Sequence, residues 1–82
     1  MLNLNMQYYK GIPIRLIKRK YDGYNAKTFT LNGTKQNVWV PNCYLEQDGT
    51  LKEGVNIDFV FKKAYLQGKF KYANINVNPL LW

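Results

Sequence analysis

Apolar and polar residues alternate in several short runs of this chain, and turn residues separate one run from the next. The first clear run predicts a β-strand over residues 12–19, whose apolar side is formed by Ile12, Ile14 and Leu16. An Asp22-Gly23 turn follows this strand. The same alternation predicts an additional edge strand at the amino terminus, formed by Leu2, Leu4 and Met6.

The middle of the chain predicts a β-hairpin. Two runs, 27–31 and 36–40, flank Asn32-Gly33, the strongest short-range hairpin signal in a sequence. A two-residue loop at this point would place Phe29 opposite Gln36. Pro41 ends the second strand, because proline has no N–H to donate to a sheet ladder.

This hairpin also predicts which side chains share a face, because successive side chains of a strand point to opposite sides. The expected core face carries Phe29, Leu31, Val38 and Val40. The opposite face carries Trp39 together with Thr28, Thr30, Lys35 and Asn37. A large aromatic side chain is therefore expected among polar and basic neighbours, and a slip of one residue would invert the assignment.

Residues 57–72 allow two interpretations. Ile57, Phe59 and Phe61 alternate with polar or smaller residues, and Gln67-Gly68 predicts a second hairpin that returns through residues 70–72. The alternative is a short helix over residues 59–67 that Gly68 terminates. Enrichment in β-branched and aromatic residues favours the strands.

The elements together predict an all-β fold. About five or six short antiparallel strands would form a small barrel or a curled sheet, OB-like or SH3-like, with a short helix near residues 59–67 as the alternative there. No linker divides the chain, so residues 1–82 are expected to form a single small domain. The apolar tail 79–82 is expected to dock on the body of the domain, because a free apolar end promotes aggregation.

Composition removes several chemistries. The chain contains no histidine, no serine and one cysteine, so a single chain cannot assemble a Ser-His-Asp or Cys-His site, a Cys/His zinc site or a disulfide. Cys43 is expected to be a buried or half-buried structural thiol. The acidic residues are expected to solvate turns rather than bind a cation: Glu46, Asp48, Glu53 and Asp58. We therefore predict a protein without enzymatic activity, metal or cofactor.

Neither a membrane span nor a secretion signal is predicted. No stretch approaches the roughly 20 apolar residues that a spanning helix requires. Residues 1–6 have neither a basic region nor a continuous apolar segment, so they do not predict a signal peptide. The single cysteine is compatible with a reducing compartment, and a cytoplasmic location is expected.

Charge is distributed unevenly along the chain. Its formal net charge is +7, made up of +6 in residues 1–45, −3 in residues 46–58 and +4 in residues 59–82. All acidic residues except Asp22 fall in the middle segment. This segregation predicts a positive surface and a separate acidic patch.

Basic residues interleaved with aromatic ones are typical of surfaces that bind single-stranded nucleic acid with little sequence preference. Lysine and arginine neutralise phosphates, and aromatic rings stack on bases. The predicted phosphate contacts are Lys18, Arg19, Lys20, Lys35, Lys69 and Lys71. The predicted stacking residues are Tyr21, Tyr24 and Trp39. DNA and RNA are both possible ligands.

The alternative function is a protein-interaction or assembly module. Small sheets have open edges, and an apolar tail that ends in Trp82 is able to insert into a partner or a second copy. The run 38–41, Val-Trp-Val-Pro after a glycine-containing turn, resembles hairpins of small phage and mobile-element proteins, and four residues do not define a family. The sequence leaves the choice between a nucleic-acid and a protein ligand open.

Overall fold

Four antiparallel strands form one sheet with the order β1-β2-β3-β4 in the computed structural model, which describes residues 6–82. The strands are β1 (Met6–Tyr9), β2 (Ile12–Leu16), β3 (Ala26–Leu31) and β4 (Asn37–Pro41). Two helices follow, α1 (Asp58–Leu66) and α2 (Lys69–Tyr72), and 3-10 turns span Asn42–Tyr44 and Pro79–Leu81. Met6 begins β1, whereas Leu2 and Leu4 of the predicted edge strand lie outside the described residues.

The predicted barrel of five or six strands is wrong. The sheet formed within residues 6–82 has four strands and is open, because β1 and β4 are its two edges and do not pair. The first predicted strand is also shorter than expected, since β2 ends at Leu16 rather than at residue 19. The consecutive cations that follow Leu16 are solvent-exposed and lie in the β2–β3 loop.

The larger error concerns residues 57–72, which form helices instead of a second hairpin. Ile57, Val60, Phe61 and Ala64 are all buried, and their spacing of i, i+3, i+4 and i+7 is that of one helix face. A strand would bury Phe59 with Phe61, yet Phe59 is 51% exposed and Phe61 is fully buried. The alternative interpretation of a short helix near residues 59–67 is therefore confirmed.

Gly68 ends α1 as that alternative expected. Its backbone is left-handed, with φ of +80°, and its N–H donates to the carbonyl of Tyr65 over 3.0 Å. Glycine adopts this conformation without a steric penalty from a Cβ atom. The chain turns here and enters α2, where Phe70 is buried against the rings of Tyr65 and Phe61.

The β3–β4 hairpin forms, but its register differs by two residues from the expected one. Phe29 lies opposite Val38 rather than Gln36. The Thr34 hydroxyl donates to the carbonyl of Leu31 over 2.7 Å and accepts from the Gln36 N–H over 3.2 Å, so two extra residues enter the loop. A shift of two residues leaves every side chain on its predicted face.

The core lies between α1 and the face of the sheet that the hairpin predicted. Hydrophobic sheet residues that are at most 7% exposed supply one side of this core: Tyr9, Ile12, Ile14, Phe29, Leu31, Val38 and Val40. A sheet with one apolar face requires a second layer to cover it, and α1 provides that layer. The predicted core face of the hairpin is thus confirmed.

The Asp48-Gly49 turn is tied to the first two strands. The amide group of Gln7 donates to the Gly49 carbonyl over 3.0 Å and accepts from the Leu51 N–H over 2.8 Å. Gly49 has φ of +91°, and a Cβ atom on it would approach Leu16 Cδ2 to 2.7 Å. A side chain at this position would therefore strain the backbone and push the end of the Leu16 side chain aside.

The carboxyl-terminal tail docks on the domain. Pro79 is buried, and the Trp82 ring packs edge-on against Tyr9 at 5.8 Å between ring centroids. The Lys10 Nζ lies 4.7 Å from the centre of the Trp82 ring, which is a cation–π distance. The prediction that the tail docks is confirmed, although Leu81 points outward and is 83% exposed.

Tyr9 connects β1 to the start of α1. Its hydroxyl donates to Asp58 Oδ1 over 2.5 Å and accepts from the Ile57 N–H over 2.9 Å. Lys10 Nζ also lies 2.9 Å from Asp58 Oδ1. The hydrogen bond from Tyr9 and then that from Lys10 lower the pKa of Asp58, whereas burial and the Asp58 contact raise the pKa of Tyr9.

We expect Tyr9→Phe to lower the free energy of unfolding at neutral pH by about 1–3 kcal/mol, because it leaves the buried Ile57 N–H without an acceptor. The free energy of unfolding of the variant should also depend less on pH in the acidic range. A carboxyl group whose pKa is lowered by folding stabilises the folded protein at pH values above its unfolded-state pKa of about 3.9. This stabilisation is lost as the pH falls through the folded-state pKa. Urea unfolding between about pH 2 and 7 measures both effects.

Tyr8→Phe is the matched control, because Tyr8 is the preceding residue and is 67% exposed. It should leave both the stability and its pH dependence unchanged. Equal destabilisation by the two substitutions would contradict the role given to the Tyr9 hydroxyl.

Candidate functional site

The face of the sheet opposite α1 is open to solvent at several large side chains. The register places Arg15 beside Thr30, and Trp39 lies opposite Thr28 on the same face. Trp39 is 42% exposed, as the hairpin pattern predicted. Thr28, one of the polar neighbours predicted on this face, is buried and only 4% exposed. Of this cross-strand pair, Trp39 is therefore exposed to solvent, whereas Thr28 is covered.

Three aromatic residues and one arginine come together at the end of this face, and we call them the aromatic ladder: Arg19, Tyr21, Tyr24 and Trp39. The rings of Tyr24 and Trp39 are stacked, with 5.8 Å between centroids and 5° between planes. Tyr21 meets Tyr24 edge-on at 6.1 Å. Parallel offset and edge-on contacts are both favourable arrangements of aromatic rings.

Arg19 adds a positive charge to the aromatic ladder. Its guanidinium carbon lies 5.0 Å from the centre of the Tyr24 ring and 5.8 Å from that of Tyr21. Its terminal nitrogen donates to the Tyr24 hydroxyl over 2.9 Å. A guanidinium group held by rings keeps its charge and its remaining donors available to an anion.

The β2–β3 loop is held in place by hydrogen bonds at both ends. The predicted Asp22-Gly23 turn forms, and the Tyr24 N–H donates to the Tyr21 carbonyl over 2.9 Å. The Tyr21 hydroxyl donates to the carbonyl of Ile17, and the Asn42 amide donates to the carbonyl of Tyr24 over 2.9 Å. These bonds set Tyr24 beside Trp39, although the two residues belong to different elements.

The predicted basic residues are not all at this place. Lys18 and Lys20 are exposed and flank Arg19 in the loop. Lys35 is exposed in the β3–β4 turn, and Lys71 is exposed on α2. Lys69 donates to the carbonyl of Asn37 over 2.7 Å and so lies at the start of β4 rather than in the β2–β3 loop. The fold therefore divides the predicted phosphate contacts into a group in the β2–β3 loop and three dispersed lysines.

Sequence reasoning missed one cation beside the aromatic ladder and a second cation on the open face of the sheet. Lys27 Nζ lies 5.7 Å from the centre of the Tyr21 ring and donates to Asn42 Oδ1 over 3.1 Å. Arg15 is exposed on the open face. Alternation along β2 places Arg15 opposite the core residues Ile12 and Ile14, so that signal was present in the sequence.

A groove lies between β4 and α1, and we call it the edge groove. Its volume is about 320 Å³. The lining residues are Val38, Trp39, Pro41, Phe59, Val60, Lys63, Ala64, Gln67 and Lys69. The sequence did not indicate this site, because the strand interpretation of residues 57–62 separates Phe59 and Lys63 from β4.

Cys43 and Asp58 differ from expectation, whereas Asp48 does not. Cys43 is exposed, so the expectation of a buried or half-buried thiol is wrong: the 3-10 turn after β4 carries it outward. Asp48 accepts a hydrogen bond from the Thr50 N–H over 3.0 Å, which lowers its pKa and is the expected turn role. Asp58 instead binds Tyr9 and Lys10. Residues 6–82 contain no group of three metal-ligating side chains.

Comparisons with protein families, with curated proteins and with solved structures find no match to this chain. No helix in the described part of the chain is both long enough and apolar enough to cross a membrane. The function is therefore inferred from the geometry and charge of the aromatic ladder and the edge groove.

Proposed function

We propose that this protein binds single-stranded nucleic acid with little sequence preference, through the aromatic ladder and the cations beside it. The observation that carries the proposal is the stack of Tyr24 on Trp39 under the guanidinium of Arg19. Both rings stay exposed, Tyr24 by 43% and Trp39 by 42%. Bases stack on such rings whatever their identity, which accounts for a low sequence preference.

Phosphate binding in the proposal starts with Lys18, Arg19 and Lys20, which adjoin the rings in the β2–β3 loop. Lys35, Lys69 and Lys71 are the predicted contacts of a longer nucleic-acid strand that continues past the aromatic ladder. Each neutralised phosphate releases counterions, so the affinity must depend on salt. A non-enzymatic role in the cytoplasm belongs to the same proposal.

The test is a titration of a fluorescein-labelled oligothymidylate of about ten nucleotides at salt concentrations from about 50 to 500 mM. The logarithm of the association constant should fall linearly with the logarithm of the salt concentration. The slope should be about −2 if three phosphates are contacted and about −4 if all six predicted cations take part. Oligouridylate in the same assay compares RNA with DNA.

Lys20→Ala should make this slope shallower by about 0.7. Lys52→Ala is the matched control, because Lys52 is an exposed lysine of the acidic segment and should leave the slope unchanged. A flat plot, or an absence of binding at about 50 mM salt, would falsify nucleic-acid binding. Equal affinity for a duplex of the same length would contradict the single-strand preference.

A protein-interaction role stays the alternative. Its support is the edge of β4, which pairs with no further strand within residues 6–82, rather than the tail, because Trp82 already packs against Tyr9 and Phe61 of its own domain.

A further inference from the structure

The outer edge of β4 offers hydrogen-bonding groups to another strand. Antiparallel partners alternate between pairs that exchange hydrogen bonds and pairs that do not. The Leu31 N–H donates to the Gln36 carbonyl and the Asn42 N–H to the Asn25 carbonyl, so Trp39 falls in a pair of the second kind. The backbone N–H and C=O of Trp39 therefore point away from β3 toward the edge groove.

Two neighbours define how much of this edge is free. Asn37, which has the same backbone orientation as Trp39, already accepts from Lys69 Nζ over 2.7 Å. Pro41 has no N–H, which ends the edge at the other side. The free segment is short and centres on Trp39, so it suits a few residues of extended chain rather than a long sheet extension.

The edge groove beside this segment is apolar at its base. Val38 and Ala64 are 3% and 2% exposed, and Val60 is 7% exposed, so their side chains form the floor. Phe59 is 51% exposed and packs at a tilt against Tyr44, with 5.7 Å between ring centroids. A strand added to β4 would point alternate side chains into this groove and the others toward the Trp39 side.

Charge restricts what this groove accepts. Lys63 and Lys69 line it, and no acidic residue does so. Lys63 lies on α1, whereas Lys69 begins α2 and its Nζ donates to the Asn37 carbonyl at one end of the β4 edge. A ligand strand that occupies this groove therefore gains from negative charge, because the side chains of opposite charge attract each other across the interface.

We propose that the edge groove binds an extended acidic peptide segment of a partner protein, which adds to the sheet as a fifth strand beside β4. Backbone hydrogen bonds to Trp39 supply affinity, apolar side chains of the peptide fill the groove over Val38 and Ala64, and its carboxylates pair with Lys63 and Lys69. This is recognition by strand addition. A second copy of this chain fits less well, because pairing two β4 edges would bring the same lysines together.

The test uses a fluorescein-labelled peptide of about eight residues in which glutamate alternates with valine and leucine, a length just above that of an ordinary strand. Fluorescence anisotropy should show saturable binding below about 1 mM peptide. The same peptide with N-methyl groups on alternate backbone nitrogens should lose binding, because it cannot complete the ladder. A peptide with lysine in place of glutamate should bind at least about five-fold more weakly.

Lys63→Glu should weaken binding of the acidic peptide by roughly five-fold or more. The matched control is Lys62→Glu, which makes the same charge change one residue earlier on α1 and outside the edge groove. The Trp39 amide should gain protection from hydrogen exchange when peptide is bound.

Four results would overturn the proposal: no binding at about 1 mM peptide, equal binding of the N-methylated peptide, equal effects of the two lysine variants, or a dimer in sedimentation that itself protects the Trp39 amide. Arg19→Ala separates the two ligand classes. It should reduce oligonucleotide binding and leave peptide binding unchanged, so either proposal can fail without the other.

Discussion

Phe61→Ala is expected to lower the free energy of unfolding by about 3–5 kcal/mol, the usual range for removal of a buried aromatic ring. Phe61 is fully buried and stacks on Tyr9, with 4.9 Å between centroids and 7° between planes. It also packs against Phe70 at 6.4 Å and Trp82 at 6.1 Å. One ring thus joins β1, α1, α2 and the tail, and its loss leaves a cavity among all four.

This loss is large relative to the whole domain. At about 0.05–0.15 kcal/mol per residue, a chain of 82 residues has a total stability of about 4–12 kcal/mol. Chemical denaturation monitored by circular dichroism should therefore show a midpoint shifted far toward lower denaturant, or a chain that is largely unfolded in buffer.

Phe59→Ala is the matched control, because it removes the same ring two residues earlier in the same helix. Phe59 is 51% exposed, so its replacement should lower stability by only about 1 kcal/mol. A strand over these residues would put both rings on one face and make the two effects similar. Equal destabilisation would therefore count against α1 itself.

Trp39→Ala is expected to weaken binding of the labelled oligonucleotide by roughly 5- to 150-fold, which corresponds to about 1–3 kcal/mol for loss of one stacking platform. The substitution removes the stack on Tyr24 and the larger of the two exposed rings. Trp39→Phe should recover part of the affinity, because a smaller ring still stacks. Anisotropy titration at a fixed low salt concentration measures each affinity.

The salt dependence distinguishes stacking from charge. Trp39→Ala should leave the slope of the salt plot unchanged because tryptophan neutralises no phosphate, whereas Arg19→Ala should make it shallower by about 0.7. Tyr8→Ala is the control for a general effect of exposed aromatic rings, since Tyr8 is 67% exposed on β1. If Tyr8→Ala and Trp39→Ala weaken binding equally, the aromatic ladder is not the binding surface.

The hairpin shows how far periodicity reaches. The predicted register of its strands differs by two residues from the observed one. The alternation of side chains does not indicate that the Thr34 hydroxyl forms hydrogen bonds within the turn and so lengthens the loop. The faces were still correct, because any even shift preserves them. Trp39 could thus be assigned to the face opposite the core without knowledge of its partners.

The segment after residue 56 shows where periodicity fails. Ile57 and Phe61 are separated by four residues, a spacing that fits both a period of two and one turn of helix. The residues that separate the two interpretations are Val60 and Ala64, which are buried, and Phe59, which is not. A preference for β-branched and aromatic residues in strands was the weaker criterion, since tertiary packing overrides it.

The sequence by itself determined the sheet faces, the turn at Asp22-Gly23 and the segregation of charge, because each depends on neighbours close along the chain. Its apolar composition also predicted that the tail docks, but only the tertiary structure gave the tail its partners. Tertiary structure decided that residues 58–66 are helical, because the apolar face of an open four-stranded sheet requires a covering layer. It also placed Tyr24 beside Trp39 and created the groove between β4 and α1. Those contacts join separate elements, and no local pattern specifies the distance between them.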